Sequence, residues 1–312
     1  MTQPSPLLRL AGAVESDGID VGVAAHYGDP LREQKTLLGG EGFVDLSHRG
    51  VVRITGPDRL PWLHSLTTQH LTSLAPHTTV TTLVLSPQGR VEHALTGYDD
   101  GESLWAQVEP GEAPALVEWL DSMRFMMRVE VADLTAQWAA VARSASAVEL
   151  VRRTELVAAA DEWGSPCGTW AFEALRIARG EPRLGLDTDS RTIPNEVGWI
   201  GRAVHLEKGC YRGQETVARI HTLGRPPRRL VLLHLDGSVD HLPTSGEPVE
   251  LDGRKLGFVG SAARHFELGP IALALVKRNV DPQAQLLAGG VAAAQEIIVD
   301  PEVGLHVRAR LS

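Results

Sequence analysis

The chain has 312 residues, 43% hydrophobic and 22% charged, the profile of a soluble globular protein with two or three domains. A net charge of -9 argues against a broad nucleic-acid surface, which needs a basic excess. Two cysteines make no disulfide framework and cannot supply the four thiolates that commonly hold an iron–sulfur cluster. No apolar run nears the roughly 20 residues that span a bilayer. Met1 to Leu10 carries no charged segment followed by an apolar one, as an export signal would. The expectation is a cytoplasmic protein with no membrane and no nucleic-acid partner.

Residues 1–40 are rich in Gly, Pro and Asp. Val21–Ala25 fits a short strand, and Leu31–Leu38 a helix ended by Gly39 and Gly40. Phe43–Leu46 and Val51–Ile54 read as strands around a polar turn. Gly56-Pro57-Asp58 opens a helix to about Leu71, with proline where its missing N–H is harmless. Val80–Leu85 and Val91–Tyr98 form a hairpin about Pro87-Gln88-Gly89. Leu104–Val108 is a strand, Glu112–Met123 a helix and Met127–Val131 a strand. This order predicts an antiparallel α+β layer.

Thr169–Arg179 is a helix that Thr169 caps and Gly180 and Pro182 stop. Glu215–Leu223 is a short helix or a strand. After Arg225-Pro226-Pro227-Arg228-Arg229 the apolar period shifts towards two. Leu230–Leu235, Val249–Leu251, Leu256–Val259, Ile271–Val276 and Ile297–Val299 are short strands of a small barrel or sandwich. The Ala/Gly-rich run 284–294 is either a loop or plain barrel wall.

The candidate chemistry lies in two places. In Lys208-Gly209-Cys210-Tyr211-Arg212-Gly213-Gln214-Glu215, a cysteine stands between a lysine and an arginine, each two places away. Nearby positive charge favours the reactive thiolate. In a strand all three side chains would share a face, whereas in a turn the geometry stays open. Cys167 has no such setting and reads as structural. Glu196 follows a proline among apolar neighbours, as either a surface loop glutamate or a carboxylate able to accept two hydrogen bonds from an amino-heterocycle. Trp199 is the best placed of the tryptophans for stacking, and Arg225, Arg228 and Arg229 are forks that match carboxylates, or else a solvated linker. The 12 histidines include no His-x-x-x-His pair, and His64 and His70 are six apart, so no metal is expected on this chain alone. Nucleophile-elbow, Walker A and dinucleotide-binding glycine motifs are absent from the sequence.

Several of these pieces together resemble one family. Leu175-Arg176-Ile177, Gly180-Glu181-Pro182-Arg183, Pro194-Asn195-Glu196, Lys208–Glu215 and Leu223-Gly224-Arg225 are similar to the YgfZ branch of the glycine-cleavage T-protein (GcvT-like) superfamily. Asp45–Gly50, Ile54–Asp58, Leu85–Arg90, Gly257–Ser261 and Gly269–Leu273 also resemble that superfamily. The resemblance implies a three-part ring around a central folate cavity, with a C-terminal antiparallel β-barrel. It implies a folate-binding region over 1–225 (two intertwined α+β domains, the inner about 56–133) and a barrel domain over 226–312. It implies tetrahydrofolate or a derivative as cofactor, and iron–sulfur enzymes or their assembly proteins as partners. Glu196 occupies the position of the pterin-binding glutamate, with Trp199, Arg225 and Arg228 as further folate contacts. Cys210 would be the functional thiol, with Lys208, Tyr211, Arg212, Gln214 and Glu215 shaping its surroundings.

One departure bears on activity. His93 and Ala94, in Gly89-Arg90-Val91-Glu92-His93-Ala94-Leu95, stand where the T-protein carries its aspartate pair. Aminomethyl transfer loses its carboxylate, although a histidine can act as acid or base near neutral pH. A folate-dependent one-carbon transferase and a non-catalytic interaction protein stand as the alternatives.

Overall fold

The computed structural model describes residues 4–144 and 148–304. Residues 1–3, 145–147 and 305–312, which belong to the expected 1–225 and 226–312 ranges, lie outside the described residues. In chain order the elements are β1 (Val14–Glu15), β2 (Ala24–His26), α1 (Pro30–Leu38), β3 (Gly42–Asp45), β4 (Gly50–Thr55) and α2 (Arg59–Leu66). They continue with β5 (Val80–Leu85), β6 (Val91–Asp99), β7 (Ser103–Val108), α3 (Ala113–Ser122), β8 (Glu130–Asp133), β9 (Trp138–Ala142) and β10 (Val148–Arg152). Next come α4 (Leu156–Ala160), β11 (Ser165–Cys167), α5 (Thr169–Ala178) and α6 (Gln214–Leu223). The last strands are β12 (Arg228–Leu235), β13 (Pro248–Leu251), β14 (Arg254–His265), β15 (Gly269–Lys277), β16 (Leu286–Ala288) and β17 (Val291–Ile297).

The chain divides into two compact units. The first comprises residues up to Ser65, His70–Thr82 and His93–Leu175; the second comprises Leu66–Gln69, Leu83–Glu92 and the chain from Arg176 onward. The first unit holds strands of a five-stranded sheet ordered β5-β6-β7-β4-β8, with Val52 opposite Ala106 on one side and Asp133 on the other. A four-stranded sheet, β10-β9-β3-β11, carries one parallel pair, β3 with β11. Its inner strand β9 carries the fully buried residues Ala139, Ala140, Val141 and Ala142. Helix α1 starts where Asp29 accepts hydrogen bonds from the Leu31 and Arg32 N–H groups at 3.1 and 3.0 Å, with Pro30 in its first turn.

The second unit contains a closed six-stranded barrel, β12-β15-β14-β13-β16-β17. All its pairings are antiparallel. Alternate residues of the strands fill it: Val231, Leu233 and Leu235 from β12 meet Ala272, Ala274 and Val276 from β15. The run 284–294 supplies barrel wall, β16 and β17, around the Gly289-Gly290 turn.

Several expected elements differ in extent: β2 starts at Ala24 rather than Val21, β14 runs on to His265 rather than ending at Val259, and β17 is Val291–Ile297 where Ile297–Val299 was expected. Helix α2 ends at Leu66 rather than near Leu71. Thr68 is fully buried and takes a strand-like role: its N–H donates to the Leu83 carbonyl (3.1 Å) and its hydroxyl to the Ala203 carbonyl (2.6 Å). Those bonds outweigh the apolar period that would have continued the helix. Strand β8 begins at Glu130, because the Met127 N–H is turned back to the Arg124 carbonyl in a preceding turn.

A buried carboxylate ties the loop after α5 to the barrel. Asp187, fully shielded from solvent, accepts from the Arg176 Nη1 (3.0 Å), the Arg183 N–H (2.8 Å), and the Ser261 N–H and hydroxyl (2.7 and 2.6 Å). Gly260 permits this approach, since a Cβ there would lie 2.1 Å from the Asp187 Oδ1. Removing one partner of a buried ion pair leaves the other charge uncompensated. Asp187→Ala is therefore expected to lower stability by about 3 kcal/mol, read as the shift of a urea unfolding midpoint; a shift under about 0.5 kcal/mol would show that surface pairs of ordinary strength hold this loop.

Candidate functional site

The sequence-predicted residues fall into two groups, both in the second unit. The first centres on the Pro194–Glu196 turn. Its start is set by Pro194, and the Ile193 N–H donates to the Glu196 Oε2 at 3.1 Å. Glu196 is not a surface loop glutamate: it is 1% exposed. Arg228, at the start of β12, donates to it through Nε (Oε1, 2.9 Å) and Nη2 (Oε2, 2.8 Å). The same guanidinium reaches Asp189 through Nη1 and Nη2 (2.7 and 3.0 Å) and the Thr192 hydroxyl (3.3 Å).

Burial alone would lower the Arg228 pKa, but the hydrogen bonds it donates to Glu196 and Asp189 raise it above its ordinary value. Burial works to raise Asp189, and its bonds from Arg228, the Arg191 N–H and Thr192 hold it below the usual carboxylate range. Arg228 and Asp189 therefore stay charged across the physiological pH range. A carboxylate offers about four acceptor positions, and Glu196 commits one on Oε1 and two on Oε2. One position on Oε1 remains. Its neighbour in the chain, Asn195, is 5% exposed, and the Asn195 Oδ1 has no hydrogen-bond partner among the described residues. A buried orphan acceptor is costly, and it marks a place where a donor-bearing ligand is welcome.

Sequence reasoning picked out Glu196 and Arg228 but missed Asp189, Thr192 and Asn195 as their partners. The signal for Asp189 was present as a second carboxylate two residues after Asp187 in the polar loop. Trp199 is 6% exposed and forms wall rather than an open stacking surface; its carbonyl accepts from the Ala203 and Val204 N–H groups (2.8 and 3.1 Å). Arg225 is exposed, with a left-handed φ of 74°, and its backbone N–H donates to the Val303 carbonyl.

The second group is the Lys208–Glu215 run, a turn rather than a strand, ending in α6. Gly213 adopts φ 81°, and a Cβ there would lie 2.5 Å from the Ser86 carbonyl and 2.9 Å from the Gly89 Cα. Gly89 is itself left-handed, at φ 77°. Both glycines are needed for the turn at Pro87-Gln88-Gly89 to press against the start of α6. Gln214 returns its Oε1 to the Tyr211 N–H at 3.0 Å. Helix α6 packs against the Pro194–Glu196 turn, which is the structural link between the two groups.

The turn separates the charges that sequence spacing grouped around the thiol. Cys210 is exposed, while Cys167, the other cysteine, is buried and pushed up to about 12 by burial and by Glu33. Lys208 points inward: it is 2% exposed, its ammonium donates to the Thr67 carbonyl and lies 5.0 Å from the Tyr211 ring centre. Burial brings Lys208 down to about 8 and takes Tyr211 up to about 12. Arg212 pairs with Glu92 at 3.2 Å. Glu215 is exposed in the first turn of α6. In the first unit, His93 lies on β6 with Nδ1 3.3 Å from a Glu112 oxygen, and Ala94 follows it, half-buried.

Lys208 carries a pH prediction. Its folded pKa of about 8 lies below the unfolded value, so between the two the unfolded chain binds the extra proton. Stability is therefore expected to rise from pH 8 towards pH 10, by about 1 to 2 kcal/mol. Above pH 10 it falls again, as the unfolded chain ionises tyrosines that the fold keeps neutral. Urea midpoints measured across this range for native protein and Lys208→Met check the assignment: the rise should vanish in the variant, and an unchanged rise would assign it to another group.

Residues 24–153 match the family model described as the GCVT N-terminal domain. The chain is 25% identical over 283 residues to "Putative transferase At1g60990, chloroplastic" of Arabidopsis thaliana, covering 73% of this chain but only 64% of that relative's length. It is 25% identical over 304 residues to an aminomethyltransferase of Moorella thermoacetica, covering 80% of this chain and 82% of the relative. Among solved structures, the glycine cleavage system aminomethyltransferase T from Bartonella henselae superposes with a TM-score of 0.79 at 17% identity, covering 95% of this chain and 96% of that one. Among the described residues no helix is long and apolar enough to cross a membrane. These likenesses support placement in the GcvT-like superfamily, and the fold, with its closed six-stranded C-terminal barrel, is GcvT-like.

Proposed function

We propose that the protein is a tetrahydrofolate-binding, YgfZ-like member of this superfamily that supports the assembly or repair of iron–sulfur enzymes in the cytoplasm. The observation that carries the folate reading is the buried Glu196 carboxylate, held by Arg228 with one acceptor position left, beside the orphan Asn195 Oδ1. A pterin presents adjacent N–H donors to such acceptors. Fixing the carboxylate before the ligand arrives lowers the ordering cost of binding. When bound, the folate would supply one-carbon or pterin redox chemistry; the chain's own residues orient it. Glu196 and Arg228 set the acceptors, Trp199 supplies apolar wall, and Arg225 lies exposed for carboxylates. In this reading residues 1–225 form the folate-binding region and 226–312 the barrel domain.

Cys210 is the functional thiol in this reading. Its exposure leaves it open to a partner protein, and Lys208, Tyr211, Arg212, Gln214 and Glu215 shape and hold the turn that presents it. The partners are iron–sulfur enzymes or their assembly proteins.

The names of the relatives favour a second reading, a folate-dependent aminomethyl or one-carbon transferase. His93 and Ala94 weigh against it, because neither supplies the carboxylate that the T-protein pattern places there. Complementation separates the readings. In cells lacking the protein, native chain should restore iron–sulfur enzyme activities, while Cys210→Ser should not and Glu196→Ala should restore them only in part. Full rescue by the serine form would remove the thiol role, and turnover of a methylamine substrate with tetrahydrofolate would favour the transferase.

A further inference from the structure

A cleft of about 610 Å³ opens on the second unit, between the loop Gly185–Arg191 and the outer faces of β14 and β15. Its lining mixes two chemistries. Arg191, Lys255 and Lys277 are exposed cations, whereas Leu256 and Phe258 are half-buried and Leu275 is fully buried. The strand register orders them. Ala274 and Val276 belong to the barrel core, so Leu275 and Lys277 face outward. Lys277 stands opposite Arg228 on β12, and two residues along β15 Leu275 stands opposite Leu230 and Phe258. A cationic row therefore lies next to an apolar row. Like charges opposite each other on neighbouring strands are destabilising, so stability does not account for the Arg228–Lys277 pairing. Arg228 is neutralised by Glu196 and Asp189. Lys255 and Lys277 make no ion pair among the described residues, although Glu250 stands opposite Lys255 in register. Arg191 reaches Asp189, the one carboxylate in the lining, only at 3.7 Å. In a chain of net charge -9, the cleft thus concentrates unneutralised positive charge.

We infer that this cleft is a docking groove for an extended acidic segment of a partner protein, one in which carboxylates alternate with apolar side chains. Side chains of an extended peptide point alternately to opposite sides. One set covers Leu256 and Phe258, where removing apolar surface from water is favourable. The other set meets Arg191, Lys255 and Lys277. Each of these exposed charge contacts is modest and screened by salt, so recognition needs several together. A compact polyphosphate would satisfy the cations but leave the apolar lining in water, and it would bring dense negative charge towards Asp189. Spaced carboxylates with apolar neighbours avoid both costs. The inference stands apart from the folate reading, because Arg191, Lys255, Lys277, Leu256 and Phe258 make none of the hydrogen bonds that hold Glu196.

Fluorescence anisotropy tests it with a short labelled peptide of alternating glutamate and leucine. The competitors are the unlabelled peptide, oligoglutamate without leucine, the same peptide with lysine for glutamate, and tripolyphosphate. Native protein should bind the labelled peptide at low salt and more weakly in about 0.5 M salt. The double variant Lys255→Glu/Lys277→Glu, changed only at exposed positions, should bind it roughly tenfold more weakly. Circular dichroism checks its fold, and Lys255→Gln/Lys277→Gln, which should lose affinity by a smaller factor, decides if the charge reversal unfolds the chain. Oligoglutamate should compete less well than the unlabelled peptide, and the lysine peptide should not compete. No binding to native protein overturns the proposal, as does equal affinity of native protein and both double variants. Oligoglutamate that competes as well as the unlabelled peptide overturns the alternating pattern. Tripolyphosphate that binds more tightly than the peptide overturns the docking role and would assign the cleft to a phosphorylated ligand.

Discussion

A single half-buried guanidinium, Arg228, sets the geometry around which the candidate site is built. It grips Glu196 and Asp189 at once, and so pins the end of the long polar loop to the first strand of the barrel. A second pair, Asp187 with Arg176, pins the same loop nearer its beginning. Between Asp187 and Glu196 lies a loop with no α-helix or strand, closed by the short 3-10 turn Pro194–Glu196, that nonetheless holds a buried carboxylate in a defined place. Such charge pairs add little net stability compared with apolar packing, but removing either partner is costly. What they provide is a fixed loop, and a fixed loop on a rigid barrel is a suitable platform for binding.

That arrangement gives several sequence motifs a structural meaning. Arg176 and Arg183 meet at Asp187, and Gly260 and Ser261 come from the barrel to meet it. Residues that looked like separate pieces of a signature are therefore one hydrogen-bonded cluster. Gly89 and Gly213 are another such pair, distant in sequence and in contact in the fold. The Lys208–Glu215 run is more an architectural turn than a charged cradle. Its lysine is buried under Tyr211, its arginine is paired with Glu92, and Cys210 is exposed.

Much of the fold was legible in the sequence because the apolar periods were clean. The hairpin of β5 and β6, helix α5 and strands β12 and β15 fall within a residue or two of where those periods put them. Strands β9 to β11 went unassigned, since Ala139, Ala140 and Ala142 carry little strand preference and owe their extended form to their sheet neighbours. Helix α2 stopped early because Thr68 found tertiary hydrogen bonds that no local pattern announces. At the site, residue type pointed to Glu196 and Arg228, but not to their mutual grip 32 positions apart, nor to the orphan Asn195 Oδ1. The inward turn of Lys208 was likewise invisible, because spacing of two implies a shared face only in a strand.

In the proposed folate reading, the Glu196–Arg228 pair holds the pterin. Calorimetric titration of native protein with tetrahydrofolate, repeated on Glu196→Ala with its fold checked by circular dichroism, tests it most directly. Native protein should bind, and the variant should bind about 30-fold more weakly, the cost of truncating one member of a buried charge pair. Equal affinity in the two proteins, or no binding to the native one, would contradict the account.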